Sequence, residues 1–233
     1  MVRGVIMWLW DGLKKRSLLE KGINIGNDGN HEVALEYYNR ILEMDPEYVD
    51  AIFNRGCAFV NLNRYEEALE SFEKVILAYP DIIDAWLFKG FILGVLGKLE
   101  ESLECFEKVL EKDSYNFDAM YSKGNALKKM GDCEKVVEYY GEVLKTFPRS
   151  TVIWINKGAA LINLEEYDEA LECLENALKI EKSNLSALYY KGKIAQELND
   201  LQEASSCFNK ILDLNPDFEP AKIEKEKLLS SNL

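Results

Sequence analysis

The stretch VDAIFNRGCAFVNLNRYEEALESFEKVILAYPDI, residues 49–82, decides the fold. Its first part, residues 49–62, places Ile52, Gly56, Phe59 and Leu62 at helical spacing. Residues 65–78 place Tyr65, Ala68, Leu69, Phe72, Val75 and Ile76 on one stripe. Apolar or small residues recurring every three to four positions mark one face of an amphipathic helix. Asn61-Leu62-Asn63-Arg64 between the two reads as a short polar turn. Pro80 lacks an amide hydrogen and cannot continue the second helix, so the chain reverses there. The unit is a helix A, a turn and a helix B.

The same pattern recurs along the chain. Gly22, Gly56, Gly90, Gly124, Gly158 and Gly192 follow one another at a spacing of 34. A cation precedes each: Lys21, Arg55, Lys89, Lys123, Lys157 and Lys191. Helix B carries small or β-branched residues at Ala34, Ala68, Ser102, Val136, Ala170 and Ala204. Four residues further on stand Tyr38, Phe72, Phe106, Tyr140, Leu174 and Phe208. Pro46, Pro80, Pro148 and Pro216 close four units, with Ser114 and Lys182 in the other two. Glycine on helix A and a small residue on helix B let two backbones approach closely, and a larger residue at the glycine would overpack the contact. A single hairpin cannot bury its own apolar faces, whereas stacked hairpins can.

On these residues the chain resembles the tetratricopeptide repeat family, whose motif has the 34-residue period and a W-x2-L-G-x2-Y, A-x3-F, P signature. Trp86 and Trp154 stand where the motif has Trp. One departure is systematic: the family's Leu before the glycine is Lys or Arg in all six units. The resemblance implies an all-α, right-handed superhelical solenoid of antiparallel helix-turn-helix hairpins with a C-terminal capping helix. Six repeats are expected at about 15–48, 49–82, 83–116, 117–150, 151–184 and 185–216. Residues 217–233 read as the solvating helix and tail, with Asp217 starting the helix. Residues 1–14, with the apolar run Val5–Trp10, read as an N-terminal cap.

Composition narrows the function. The net charge of −13 repels phosphate backbones, so nucleic acid is not an expected partner. Five cysteines without a C-x-x-C pair and a single histidine, His31, argue against a disulfide framework, a metal site and acid–base catalysis. No phosphate loop or Ser-His-Asp set is present, so neither an enzyme nor a cofactor is expected. Val5–Trp10 is too short to span a bilayer and lacks a cleavage site, which leads to an expectation of a cytoplasmic, non-membrane protein.

The resemblance also implies where a partner sits. In this family the A helices line a concave groove that takes extended or helical peptides. Carried over, the inner-face positions are Phe53, Cys57, Val60, Leu87, Phe91, Tyr121, Asn125, Lys128, Ile155, Asn156, Tyr189, Tyr190 and Lys193. Leu19, Ile23, Ala159, Ile162 and Gln196 extend this surface. The expected function is a scaffold or adaptor that holds another protein or peptide by apolar anchors. The alternative is self-association, with residues 5–10 as the contact. Members that clamp a chaperone's C-terminal carboxylate use cations at three inner positions. Tyr121, Ser186 and Tyr190 occupy those positions here, although Asn125 and Asn156 match the asparagines, so such tails are not expected ligands. The cations before the glycines have two readings: stems packed between helices with the charge on a nearby carboxylate, or a row facing an acidic ligand.

Overall fold

The computed structural model describes the backbone of residues 2–230 and the side chains of 11–228. Among the described residues it holds thirteen α-helices and no strand. They are α1 (Val2–Asn27), α2 (His31–Met44), α3 (Val49–Asn61), α4 (Tyr65–Ala78), α5 (Ile83–Val95), α6 (Leu99–Lys112), α7 (Phe117–Lys129), α8 (Cys133–Thr146), α9 (Thr151–Asn163), α10 (Tyr167–Ile180), α11 (Leu185–Glu197), α12 (Leu201–Leu214) and α13 (Glu219–Ser230). The architecture is an all-α solenoid of helical hairpins. The chain divides into two compact units, residues 1–123 and 124–233, with the division inside α7.

In the first unit the hairpins α1–α2, α3–α4 and α5–α6 pack in series. Ala68, Phe72 and Val75 of α4 are fully buried, together with Ala85 and Ile92 of α5. The second unit buries Leu161, Ala170, Leu174 and Ala177 around α9 and α10. Further along, Ala204, Phe208, Ile211 and Ala221 are buried around α12 and α13. The spacing implied that each glycine approaches the small residue of helix B, with the bulky residue four further on turned toward the next hairpin; the structure instead sets the bulky ring against most of these glycines. Gly56 faces the ring of Phe72, and a Cβ there would stand 2.9 Å from it. Gly22, Gly90, Gly124 and Gly192 face Tyr38, Phe106, Tyr140 and Phe208 in the same way.

The turn from helix A to helix B has one recurring geometry. Gly29, Asn63, Gly97, Gly131, Glu165 and Asn199 all have positive φ, between 57° and 85°. These positions also follow the 34-residue period. Glycine and asparagine adopt this left-handed region at low cost, and Glu165 is the one residue of another type. Glu165→Gly is expected to stabilise the chain by about 1 kcal/mol, raising the melting midpoint by roughly 2–4 °C. Scanning calorimetry on the two proteins checks this, and an unchanged or lower midpoint would contradict the strain.

The turn from helix B to the next helix A is closed where the prolines stand. Each helix B ends one residue before its repeat's C-cap: Asp45, Tyr79, Asp113, Phe147, Glu181 and Asn215. The indoles of Trp86 and Trp154 donate to the carbonyls of Pro80 and Pro148 at 3.1 and 2.9 Å, tying helix A to the turn before it.

Two boundaries differ from expectation. Helix α1 runs without a break from Val2 to Asn27, so no backbone break separates residues 1–14 from the first hairpin. The last helix begins at Glu219 rather than Asp217, because the Asp217 amide donates to the Asn215 side chain in a preceding turn.

Candidate protein-interaction face

The cations before the glycines are set first by their neighbours. Lys89 donates to Glu73 and Lys123 to Glu107, both at 2.9 Å and both across sixteen residues. Each pair joins one hairpin's helix B to the next helix A. Lys191 pairs with Glu203 at 2.7 Å. Arg55 has Asn39 where those units carry Glu73 or Glu107. Burial lowers its pKa, and only the charge of Glu70 works against that. These pairs support the packing reading of the row.

In the first unit the inner face rests on three rings. Phe53 meets Phe72 and Phe88 edge-on, with centroids 5.5 and 5.8 Å apart, and Phe72 stacks on Phe88 at 5.2 Å. Such pairs add about 0.5–1.5 kcal/mol beyond the area they bury, so Phe53 forms a rigid, half-buried floor. Cys57 and Val60 are half-buried beside it. Burial first, and then the charge of Asp84, pushes the Cys57 thiol up to about 12, which leaves it unreactive at neutral pH. Asp84 on α5 is therefore close enough to α3 to be felt by Cys57. A cleft of about 100 Å³ opens among Ile23, Asn54, Cys57 and Asn61.

On α5 the apolar surface becomes open. Leu87 is half-buried, Phe91 is 51% exposed and Val95 is 44% exposed. Their spacing of four residues puts them on one face of the helix. Val95 was not among the expected site residues, although its position four after Phe91 was the available signal. Tyr121 on α7 stacks its ring on Phe117 at 6.2 Å.

The second unit offers less. Ile155, expected on the groove, is 9% exposed and belongs to the core with Leu174 and Ile194. Ala159 is buried as well. Neighbouring helices pack closely at these small and branched side chains, so the inner-face position becomes interior. Asn125 accepts from the Tyr140 hydroxyl at 3.4 Å, Lys128 is exposed and Asn156 is half-buried. Tyr190 packs against the cluster around Ile155. Tyr189 lies in a ring cluster with Tyr190, Phe208 and Phe218. Lys193 lies 3.6 Å from Glu224 of α13, so its charge is directed to this chain's own last helix.

Glu224 is 6% exposed and is the anchor of that helix. Burial raises its pKa, but hydrogen bonds from Lys227 and Gln196 and the charges of Lys193 and Lys227 outweigh it, and the net shift is downward. A depressed folded-state pKa contributes stability above the ordinary value of 4.5, and that contribution disappears as the pH falls through the lowered value. Glu224→Gln is expected to cost about 1–2 kcal/mol at pH 7, with the gap to the unsubstituted chain narrowing below about pH 4.5. Thermal unfolding at pH 7 and pH 3 measures this, and a pH-independent gap would refute the ionic role.

The segment Val5–Trp10 lies within α1, but its side chains are outside the described residues. Neither its reading as a cap nor its reading as a self-association contact is drawn from the structure. No described helix is long and apolar enough to cross a membrane.

Known proteins share these features. Tetratricopeptide repeat models match residues 26–81 and 53–117, 118–150, 152–184 and 186–218. An uncharacterized protein of Methanocaldococcus jannaschii is 51% identical over 39 residues, which is 17% of this chain and 45% of that protein. The match thus spans less than half of that relative's length. The fold is similar to the solved structure of Pseudomonas aeruginosa pilF, with a TM-score of 0.73 at 17% identity, covering 93% of this chain and 99% of that one. It is also similar to YrrB, described as a TPR protein with an unusual peptide-binding site, with a TM-score of 0.63 at 22% identity over 81% and 97% of the two chains. With tandem models covering nearly all of residues 26–218 and five of the six repeat glycines packed tightly against a ring, the chain belongs to the tetratricopeptide repeat family.

Proposed function

We propose that this protein is a non-enzymatic interaction scaffold whose first unit holds a segment of another protein on the inner face of α3 and α5. The observation that carries this reading is Phe91, an aromatic side chain half exposed at helical spacing from Leu87 and Val95 on α5, the helix that also supplies Phe88 to the packed rings of Phe53 and Phe72. A contiguous apolar surface on a rigid backing is the kind of patch that marks an interaction site. An aromatic anchor at its centre is the residue type that dominates binding energy. Arrays of repeats use such inner faces for extended segments, and the likeness to YrrB supports a peptide as the form of the ligand.

The test is affinity capture from the source cell with the unsubstituted chain, Phe91→Ser and Leu77→Ser. Leu77 is 87% exposed on α4, away from the inner-face stripe, and serves as a matched apolar control. Phe91→Ser is expected to weaken the captured interaction by about 2 kcal/mol, roughly thirtyfold, with an unchanged helical circular dichroism spectrum. A partner that survives Phe91→Ser and is lost with Leu77→Ser would move the site to the outer edge of α4.

A further inference from the structure

Resting on that reading, we infer that the segment bound by the first unit is a basic one, alternating cationic and apolar side chains, whose cations meet the row Asp50, Asp84 and Asp118. These three carboxylates stand in the first turns of α3, α5 and α7, at one repeat position, and all three are exposed. Helical spacing puts each on the face of its own helix that carries the apolar inner residues: Asp50 with Phe53, Asp84 with Leu87 and Phe91, and Asp118 with Tyr121. The charge of Asp84 is also felt by the Cys57 thiol of α3. None of the three takes part in an ion pair or accepts a side-chain hydrogen bond from a described residue.

First-turn carboxylates also answer the helix dipole. That alone does not require the row, since the equivalent positions of α9 and α11 are Val152 and Ser186. Several cations of this unit are engaged elsewhere. Lys89 and Lys123 are paired with Glu73 and Glu107, and Arg64 pairs with Glu67 at the opposite end of the A helices. Arg16 is the one cation at the row's own repeat position, on α1. The apolar stripe is therefore edged by unpaired negative charge along the A helices of three successive repeats, which selects a complementary partner.

The test uses three labelled synthetic peptides of equal length, alternating Leu with Lys, with Glu or with Ser, titrated by fluorescence anisotropy at low and high salt. At low salt the Lys peptide is expected to bind about tenfold tighter than the Ser peptide, as three exposed ion pairs would give. The preference should fade at high salt. It should vanish in Asp50→Asn/Asp84→Asn/Asp118→Asn and persist in Glu32→Gln/Glu66→Gln/Glu100→Gln. The latter triple removes the same charge from a different repeat position on the B helices.

Equal losses in both triples would assign the preference to the net charge of −13 and overturn the inference. Equal binding of the Lys and Ser peptides, both sensitive to Phe91→Ser, would overturn the charge selection and leave the apolar site standing. Binding indifferent to Phe91→Ser, or no binding of any peptide, would overturn both.

Discussion

Phe72→Ala is expected to cost about 3–5 kcal/mol, the range for emptying a fully buried aromatic site. Phe72 has no exposed surface, and its ring is held from three sides. Gly56 lies against it, Phe88 stacks on it and Phe53 meets its edge. Alanine would leave a void between α3, α4 and α5 that none of these neighbours can close, because glycine has no side chain and the two rings are fixed by each other. The loss converts to a fall in melting midpoint of about 10 °C or more for a chain of this size. It would also remove the floor beneath Phe53, so binding on the inner face should weaken in the same variant. A chain of stacked hairpins need not unfold in one step, so the measurement is residue-resolved hydrogen exchange alongside calorimetry. Protection should fall in α3–α5 and be retained in α9–α12. Uniform loss of protection, or a midpoint within a degree or two of the unsubstituted chain, would show that the ring cluster does not hold the first unit.

The second large effect is a contrast between two glycines that the period treats as equivalent. At Gly124 an added Cβ would run into the ring of Tyr140, which is fully buried and cannot swing away. Gly124→Ala is therefore expected to destabilise by about 1–3 kcal/mol through overpacking. At Gly158 the partner is Leu174, and the nearest atoms to an added Cβ lie at 3.4 Å, in ordinary contact. There Gly158→Ala is expected to stabilise by about 0.5–1 kcal/mol, because alanine loses less backbone entropy in a helix interior. Chemical denaturation of both variants gives the two signs directly. Two losses of equal size would mean that the glycines are held for a common reason other than the ring opposite.

Much of this architecture was legible before any coordinates. The spacing of 34 between glycines, the amphipathic stripes of residues 49–62 and 65–78 and the closing prolines specify helices, hairpins and stacking order. They do so because each depends on local chemistry: helical periodicity, the missing amide hydrogen of proline, and the absent side chain of glycine. The left-handed turn at Asn63 and Glu165 was less visible, since only Gly29, Gly97 and Gly131 announce it by residue type.

The binding face was legible as a list of positions and not as a surface. Phe91 and Ile155 are both large apolar residues at inner-face positions, yet one is half exposed and the other is buried. Lys193 reads as a free groove cation, but it lies beside a buried carboxylate 31 residues further on. By itself the sequence determined the period, the helices and the need for a small residue at each repeat glycine, while the ring that faces it came from the structure. Only the tertiary structure decided which inner-face side chains remain open to a partner. Exposure depends on the size and charge of side chains on the adjacent helix, and repeat spacing carries no information about how those neighbours fill the space.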